Sequence, residues 1–500
     1  MDFITVFLVL FSLVCAWLSN SRIRKSGKLP PGPYSFPIIG NILQLGQYPH
    51  QSLAKLSKTY GPLMSLHLGS IYAVVVSSPE AAKEILQKHD LAFSSRIITA
   101  AGQAHDHHKI SMVFLPVGSQ WSKLRKICRE QLFSTHRLKA SQGLRQEKLR
   151  RLRDHVQECC VSGRVVNIGE VSFITTLNLM SVTLFSVDFT DFGSDTTQEW
   201  KETIEALINI LGVPNLADFF PVLKRFDPQG IKEEAEFYFG KILSMFEDII
   251  NERLESRRTS LTLPHHRSTK KSDLLQVLLD ISEGSEYELS SNDIKHLLLD
   301  LFVAGTDTSA STVELTMTEL LLNPEKMSKA KDELKNVIGD NNQIEEADIS
   351  RLPYLQAVIK EILRYQPVGP LLVPHKSEHD VEINGYAIPK NTQVLINVWA
   401  MGRDANLWLN PNSFEPERFL DNKVDFKGRD FELIPFGSGR RMCPGLPLAN
   451  RMLHMMVASL IHNFDWKLES ETKTKDGNTR VKFGTAHNKA IPLKALPTKL

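Results

Sequence analysis

The residues best suited to do chemistry lie in a glycine-rich stretch near the C-terminus. Residues 436–445 read Phe-Gly-Ser-Gly-Arg-Arg-Met-Cys-Pro-Gly and place Cys443 among glycines and close to an arginine pair. Glycines let a backbone approach a planar ligand closely, and the arginines favour the thiolate and can bind carboxylates. Such a thiolate can serve as the axial ligand of a haem iron. A surface turn with an incidental cysteine fits the same local residues equally well.

A second reactive group lies inside a predicted helix of about 50 Å, which begins at a capping box and ends at a proline. Residues 304–309 read Ala-Gly-Thr-Asp-Thr-Ser, so hydroxyls and a carboxylate stand where apolar side chains are expected. Three- and four-residue spacing puts Asp300, Ala304 and Thr308 on one helix face. With Asp307 they could form a groove that holds a proton donor. Polar residues bonded to the helix backbone are the alternative.

A charged pair occurs on a third predicted helix, over residues 354–364. Glu361 and Arg364 are three residues apart, so their side chains can meet across one helical turn. From these residues alone we expect an exposed ion pair that contributes little to stability.

Further elements follow from periodicity and turn residues. Apolar β-formers flank a Gly-Ser turn in residues 63–77 and an Asn-Gly turn in residues 381–396, which predicts two hairpins. Helical spacing predicts more helices over residues 145–159, 195–211, 232–258 and 446–462.

Composition limits the class of protein. The chain has 500 residues, 42% of them hydrophobic, and a net charge of +2. No long glycine-, serine- or proline-rich linker divides it, so a single domain over residues 41–500 is expected. The near-neutral charge, without a dense basic stripe, argues against nucleic acid as a partner. Its 5 cysteines do not make a disulfide framework, and a reducing compartment fits best.

The N-terminus carries a hydrophobic segment. Residues 3–18 are almost purely apolar, and as a helix they would extend about 25 Å. An acidic residue precedes the segment and basic residues follow it, an order that favours an uncleaved anchor over a cleaved signal peptide. We therefore expect a transmembrane anchor over residues 1–20, with the rest of the chain in the cytosol. Residues 21–40 are basic and then proline-rich, which predicts a stiff hinge.

Together these features resemble the cytochrome P-450 superfamily of haem-thiolate monooxygenases, and the resemblance covers essentially the whole chain. The family pattern F-x-x-G-x-R-x-C-x-G is matched at Phe436, Gly439, Arg441, Cys443 and Gly445. The resemblance implies a mainly α fold with a smaller β region, the cytochrome P-450 fold, preceded by one membrane-anchor helix. It also implies haem b as the cofactor, with the Cys443 thiolate as the ligand of its iron.

Other family motifs occur at matching positions. Glu361 and Arg364 match E-x-x-R, and Arg418 matches the arginine that completes a buried network, so the resemblance replaces the exposed pair with a buried one. It also implies that Thr308 hydrogen-bonds bound dioxygen and that Asp307 helps to relay protons.

The resemblance also assigns contacts to the haem propionates. Trp121 and Arg125 match the family's W-x-x-x-R, and Arg441 is expected to pair with a propionate too. Many plant relatives carry arginine after a proline where this chain has His375. Histidine can still donate one hydrogen bond, but it is shorter and only sometimes charged. Both a propionate contact and a packed polar residue stay open for His375.

Within the superfamily the chain is similar to plant terpenoid hydroxylases of the abietane and geraniol types, through residues 226–230, 300–305 and 425–430. This similarity implies an NADPH- and O2-dependent monooxygenase that hydroxylates an apolar terpenoid of the abietane diterpene type. It also implies an enzyme of the endoplasmic reticulum membrane that receives electrons from NADPH-cytochrome reductase. A monoterpenoid hydroxylase is the alternative within the class. A haem-thiolate isomerase that does not activate O2, or a non-enzymatic haem protein, are alternatives from other classes. The Asp307–Thr308 pair argues against both.

By position in the family, the substrate pocket is expected between residues 97–117, 207–216, 297–304, 368–373 and 483–486. These segments are mainly apolar, as a terpenoid pocket should be. Ordinary core packing is the alternative for each of them.

Overall fold

The computed structural model describes residues 28–262, 273–284, 289–339, 343–469, 481–482, 488–489 and 491–499. The predicted anchor over residues 1–20 and the first part of the hinge lie outside the described residues. So does the expected pocket wall over residues 483–486.

Helices form most of the regular structure in these ranges, which confirms the predicted mainly α fold. In chain order they are α1 Ile42–Leu45, α2 Pro49–Tyr60, α3 Pro79–Lys83, α4 Ser119–Ile127, α5 Thr135–Ala140, α6 Gln142–Ser162, α7 Ile168–Phe185, α8 Asp195–Gly212, α9 Leu216–Phe219, α10 Ile231–Thr262, α11 Leu274–Glu283, α12 Ser291–Leu322, α13 Pro324–Ile338, α14 Pro353–Tyr365, α15 Val398–Met401 and α16 Leu446–His462. The helices predicted from periodicity lie within α6, α8, α10, α14 and α16.

The strands are short and form small sheets. They are β1 Leu63–Leu68, β2 Ile71–Val76, β3 Ser95–Arg96, β4 Val166–Asn167, β5 His375–Lys376, β6 Val381–Ile383, β7 Tyr386–Ile388, β8 Gln393–Ile396, β9 Phe464–Leu468, β10 Val481–Lys482, β11 Asn488–Lys489 and β12 Lys494–Lys499. The largest sheet has the order β1-β2-β8-β5-β3, in which β2 and β8 are parallel and the other pairs antiparallel. Both predicted hairpins are confirmed, as β1–β2 and β6–β7.

The long helix α12 crosses the core. Its start is the predicted capping box, because the Ser290 side chain accepts from the Asp293 backbone and the Asp293 carboxylate accepts from the Ser290 backbone. Apolar residues near both ends of α12 are buried, among them Leu298 and Leu320. A 32-residue helix that is buried near both ends gives the interior a rigid axis.

Helix α7 packs against α12 as a core helix. In the part of the chain that the structure describes, α7 is the one helix long and apolar enough to cross a membrane, and 83% of it is buried inside the protein. A helix that is apolar on every side and enclosed by protein belongs to the core of a large domain.

The charged pair on α14 lies in the interior, not on the surface. The Glu361 carboxylate is bidentate to Arg364, with Nε–Oε2 and Nη2–Oε1 distances of 2.7 Å, and Arg418 Nε approaches it to 3.2 Å. Neither the Glu361 nor the Arg364 side chain has any exposed surface. The exposed pair expected from local residues is therefore wrong, because distant loop residues cover this face of α14. Their carbonyls accept the remaining N–H groups, at Gly402, Leu409, Pro411 and Ser413.

This burial gives the first prediction. Glu361→Gln should lower the free energy of unfolding by ~3–5 kcal/mol, because it leaves two buried guanidinium groups without their carboxylate. Urea denaturation followed by far-ultraviolet circular dichroism measures the change.

Glu415→Gln is the matched control, because Glu415 reaches Arg418 at 3.4 Å from a side chain that is 34% exposed. We expect its effect to stay below about 1 kcal/mol. Equal, small effects for both variants would contradict a structural role for the buried network.

Candidate active site

The cysteine loop has a shape that its glycines make possible. Cys443 lies between a short 3-10 turn and the start of α16, and its backbone N–H donates to the Phe436 carbonyl at 2.9 Å. Gly437 and Gly439 have φ of 71° and 67°, in the left-handed region that favours glycine. A Cβ at Gly439 would lie 2.1 Å from the carbonyl oxygen of Leu86, so a larger residue cannot fit. The sequence motif thus describes a loop pressed against a neighbouring backbone.

The Cys443 side chain faces an internal space. It lies deep among protein atoms, and yet it has accessible surface, so that surface points inward. Burial raises the pKa of the thiol, while the backbone N–H of Gly445, the charge of Arg125 and the backbone N–H of Leu446 act in the opposite direction. A metal ion that binds the sulfur overcomes this effect of burial, because only the thiolate is a metal ligand.

The middle of α12 also presents surface to an internal space. Ala304 is exposed although the helix around it is buried, and the Thr308 hydroxyl donates to the Ala304 carbonyl at 2.7 Å. Asp307 is only 3% exposed. A Cβ at Gly305 would lie 2.9 Å from the sulfur of Met180 on α7, so this glycine allows the two helices to pack closely. The small residues in the motif therefore have a packing role beside any chemical one.

A cluster of cationic side chains lies next to the cysteine loop. Arg441 extends over the ring of Trp121, with 4.9 Å between its guanidinium carbon and the ring centroid, and Arg125 donates to the carbonyl of Met442. Arg441 is held by backbone carbonyls of Ser94, Met112, Val113 and Leu115. The structure thus brings together Trp121, Arg125 and Arg441, as the sequence predicts.

Arg96, on β3, belongs to the same cluster and was not predicted. Its Nη1 donates to the carbonyls of Val373 and Pro374, and its buried Nε has no hydrogen-bond partner. Burial and the charge of Arg441 lower the pKa of Arg96 to about 9, and burial and Arg125 lower the pKa of Arg441 to about 10. A lone arginine on a two-residue strand has no pattern from which this position could be recognised.

The three arginines of this cluster are an unusual group. Within the described ranges, none of Arg96, Arg125 and Arg441 forms an ion pair with a carboxylate of the protein. Buried charges without a counter-ion are costly unless a ligand supplies one. The cluster therefore suits a ligand with acidic groups, one of which could accept a hydrogen bond from the unpartnered Arg96 Nε.

His375 lies beside this cluster as a neutral ring. Its Nδ1 is 2.7 Å from the carbonyl of Phe93, to which it donates, and the residue is 5% exposed. Burial, followed by the charge of Arg96, lowers the pKa of His375 well below its ordinary value. With Nδ1 protonated and the ring neutral, Nε2 is an acceptor and donates to a carboxylate only after protonation. The geometry therefore favours the packed polar role for His375.

Comparison with known proteins agrees with this arrangement. A sequence model of the family described as Cytochrome P450 matches residues 30–493. The chain is 57% identical over 499 residues to ferruginol synthase of Isodon rubescens, with 100% of both chains covered.

The chain is a cytochrome P450.

It is also 54% identical over 500 residues to sugiol synthase of Salvia miltiorrhiza, covering 100% of both chains. It is 53% identical over 500 residues to carnosic acid synthase of Rosmarinus officinalis, covering 99% of this chain and 98% of that relative. Like its relatives, this cytochrome P450 is a monooxygenase. Such enzymes use a thiolate-ligated haem, O2 and a redox partner to oxidise hydrophobic molecules.

The residues present fit a haem held by a thiolate. Cys443 presents its sulfur to an internal space from a loop in which Gly439 tolerates no side chain. The two propionates of a haem would supply the acidic groups that suit the arginine cluster. The Phe436 ring, at the start of the same loop, packs on Phe426 with 5.8 Å between the ring centroids. Glu361, Arg364 and Arg418 lie in a separate, structural network.

Arg96 gives the second prediction. Arg96→Met should weaken haem retention roughly 10- to 100-fold, because a hydrogen bond to a charged group contributes about 1.5–3 kcal/mol. The rate of haem transfer from the purified enzyme to apomyoglobin measures it.

Arg440→Met is the control, since Arg440 is 51% exposed and pairs with Asp90 at 2.8 Å on the surface. We expect its haem transfer rate to match that of the unsubstituted enzyme. If Arg96→Met also matches it, Arg96 has no part in holding the cofactor.

Proposed function

We propose that this cytochrome P450 hydroxylates an abietane-type diterpene with O2 and with electrons from NADPH. The observation that carries the proposal is full-length identity of 53–57% to ferruginol synthase, sugiol synthase and carnosic acid synthase. Their names refer to oxidised diterpenes of one skeleton. This similarity extends over the whole chain and not over one motif alone, which supports a shared substrate class.

In this proposal Cys443 ligates the iron of haem b, and bound haem supplies the activation of O2. The backbone N–H groups of Gly445 and Leu446, near the sulfur, moderate its negative charge. Arg96, Arg125 and Arg441 hold the propionates, and Trp121 fixes the plane of Arg441. His375 supports this group through the Phe93 carbonyl, and it contacts a propionate only in its protonated form.

In the same scheme Thr308 and Asp307 deliver protons to the internal space. The Thr308 hydroxyl donates to the Ala304 carbonyl at 2.7 Å, and rotation of its side chain would turn that proton toward the internal space. The Asp307 carboxyl is buried behind it and is the group able to replace the proton. This division of roles explains why polar residues interrupt an otherwise apolar helix.

The substrate would lie between apolar segments beside the cysteine loop. Leu372 supports this placement, because it lies 3.7 Å from the Cβ position of Gly437 and so brings residues 368–373 against that loop. Its φ of 51° is strained for a leucine and points to a constrained position. Together with Ala304 on α12, this segment would offer an apolar surface without charge, as an unfunctionalised terpenoid needs.

We also propose that the enzyme is attached to the endoplasmic reticulum membrane by residues 1–20 and receives electrons from NADPH-cytochrome reductase. An exposed apolar surface supports the attachment. The turn between β1 and β2 joins Ile39 to Phe219, since Gly69 N–H donates to Ile39 and Ser70 N–H donates to Phe219. Beside this contact Val222 is 82% exposed. Val222, together with Ile39, which is 36% exposed, gives this face apolar surface that suits a lipid.

The substrate gives the third prediction. Microsomes containing this enzyme and a reductase should hydroxylate aromatic abietane hydrocarbons in an NADPH-dependent reaction, and should oxidise geraniol far more slowly. Product analysis by mass spectrometry over a panel of diterpene and monoterpene skeletons measures the preference. Faster oxidation of geraniol than of every abietane would favour the monoterpenoid alternative.

The proton groups give the fourth prediction. Thr308→Ala should uncouple NADPH consumption from product and release hydrogen peroxide, because the hydroxyl that delivers protons is lost. Thr316→Ala is the control. It removes an equivalent hydroxyl, bonded to the Thr312 carbonyl at 2.7 Å, from a buried position about two helical turns further along α12. The ratio of product to NADPH consumed should fall in the first variant alone. Unchanged coupling in Thr308→Ala would contradict the assigned role.

A further inference from the structure

A buried polar cluster lies on α12 ahead of the proton groups. It consists of His296 and Asp300, one turn apart on α12, with His107 and Ser111 from the segment over residues 101–115, here called the crossing segment. His107 and His296 are each 3% exposed and Asp300 is 8% exposed. The proposed chemistry uses none of these residues.

Asp300 is the centre of this cluster. Its carboxylate accepts from the Ser111 hydroxyl at 2.7 and 3.0 Å and from the Met112 backbone N–H at 2.7 Å, and His107 Nε2 lies 3.1 Å from it. A buried carboxylate with several donors is a strong, directional attachment point. It fixes the crossing segment on α12 at two consecutive residues.

The two histidines complete the attachment. His107 Nδ1 and His296 Nδ1 are 2.8 Å apart, so one must donate and the other accept. His107 Nε2 lies 3.1 Å from an oxygen of Asp300, so the His107 ring links His296 to that carboxylate. Burial, followed by the interaction with His107, lowers the pKa of His296 to about 4, so its ring is neutral at neutral pH.

The crossing segment carries this attachment to the arginine cluster. The carbonyl of Met112, whose N–H is held by Asp300, accepts from Trp121 Nε1 at 3.2 Å and from Arg441 Nη1 at 3.0 Å. Val113 and Leu115 present their carbonyls to the same guanidinium. One carboxylate on α12 therefore sets the orientation of the backbone that holds Arg441.

The crossing segment contains little regular secondary structure that could hold its backbone in this position. It contains a kinked 3-10 stretch in which His105 and Asp106 have φ of 48° and 56°, positions strained for residues other than glycine. On α10 the segment is held through His105, whose backbone N–H donates to the Glu236 carboxylate at 3.2 Å and whose ring Nε2 donates to the Glu236 carbonyl at 2.8 Å. Strained backbone keeps one conformation only when its surroundings fix it.

We propose that Asp300, supported by His107 and His296, is a positioning residue that fixes the crossing segment both as the carbonyl frame of Arg441 and as a wall of the substrate pocket. The frame role rests on contacts in the structure, and the wall role rests on the proposed function. Loss of the attachment should loosen residues 111–115 and weaken substrate binding, with a smaller effect on the rate of the bound substrate.

Hydrogen exchange of the haem-loaded, substrate-free enzyme tests the frame directly. In Asp300→Asn, which preserves shape but removes the charge and one acceptor, amides of residues 111–115 should exchange about tenfold faster. His107→Phe keeps the ring packing on Phe239 and removes both nitrogens, so it should raise the same rates less. Glu236→Gln, the control, loosens the opposite anchor and should leave those amides unchanged.

Exchange at residues 111–115 within twofold of the unsubstituted enzyme, in both Asp300→Asn and His107→Phe, would overturn the proposal. If Asp300→Asn fails to fold with haem, the exchange rates of His107→Phe alone decide the frame role.

The role of the crossing segment as a pocket wall is tested by substrate binding. In Asp300→Asn the substrate-induced spectral shift should need about tenfold more abietane, and kcat should change less than KM. A larger change in kcat than in KM would contradict this role. Should no abietane be oxidised by the unsubstituted enzyme, the proposed function fails, and the exchange result still decides the frame.

Discussion

The structure depends on a set of buried positive charges that no carboxylate among the described residues neutralises. Arg96, Arg125 and Arg441 are held by backbone carbonyls, and within the described residues none of them meets a carboxylate. Carbonyl oxygens orient a guanidinium, but they do not balance its charge. The site is therefore preorganised for an acidic ligand. Three distant parts of the chain, around Arg96, Arg125 and Arg441, must be held close together to build it.

Those attachments share one physical form. Asp300 holds the crossing segment, Glu361 holds the loops over α14, and Asp218 accepts the backbone N–H of Ala100 at 2.8 Å. In each case a carboxylate on a helix accepts hydrogen bonds from irregular backbone that is not paired in a β-sheet. Burial makes such bonds strong and makes their loss expensive. The helices are rigid, and the carboxylates on them fix the positions of the loops that surround the site.

Sequence reasoning succeeded where the signal is local. The capping box at Ser290, the Asn-Gly hairpin and the loop around Cys443 depend on residues within ten positions of one another, and the structure has all three. Reasoning from local residues failed where partners are far apart in the chain, and only the family resemblance predicted the buried network of Glu361, Arg364 and Arg418. Glu361 and Arg364 looked like a surface pair, because the loops that bury them lie some 40 to 50 residues further on.

The same reason explains what was missed altogether. Arg96 meets Val373 and Pro374 across more than 270 residues, and Asp300 meets Ser111 across 189. No periodicity connects such positions, and a single sequence holds no other record of them. The helical face that includes Asp300 was predicted, but its role becomes visible only with the crossing segment in place.

The central claim is that Cys443 presents a thiolate to the haem iron. The most direct measurement is the absorption spectrum of the carbon monoxide complex of the reduced, haem-loaded enzyme. The account predicts the strongly red-shifted Soret band of a thiolate-ligated haem, and its loss in Cys443→Ser. A Soret band typical of a nitrogen-ligated haem, in folded enzyme with its full complement of haem, would contradict it.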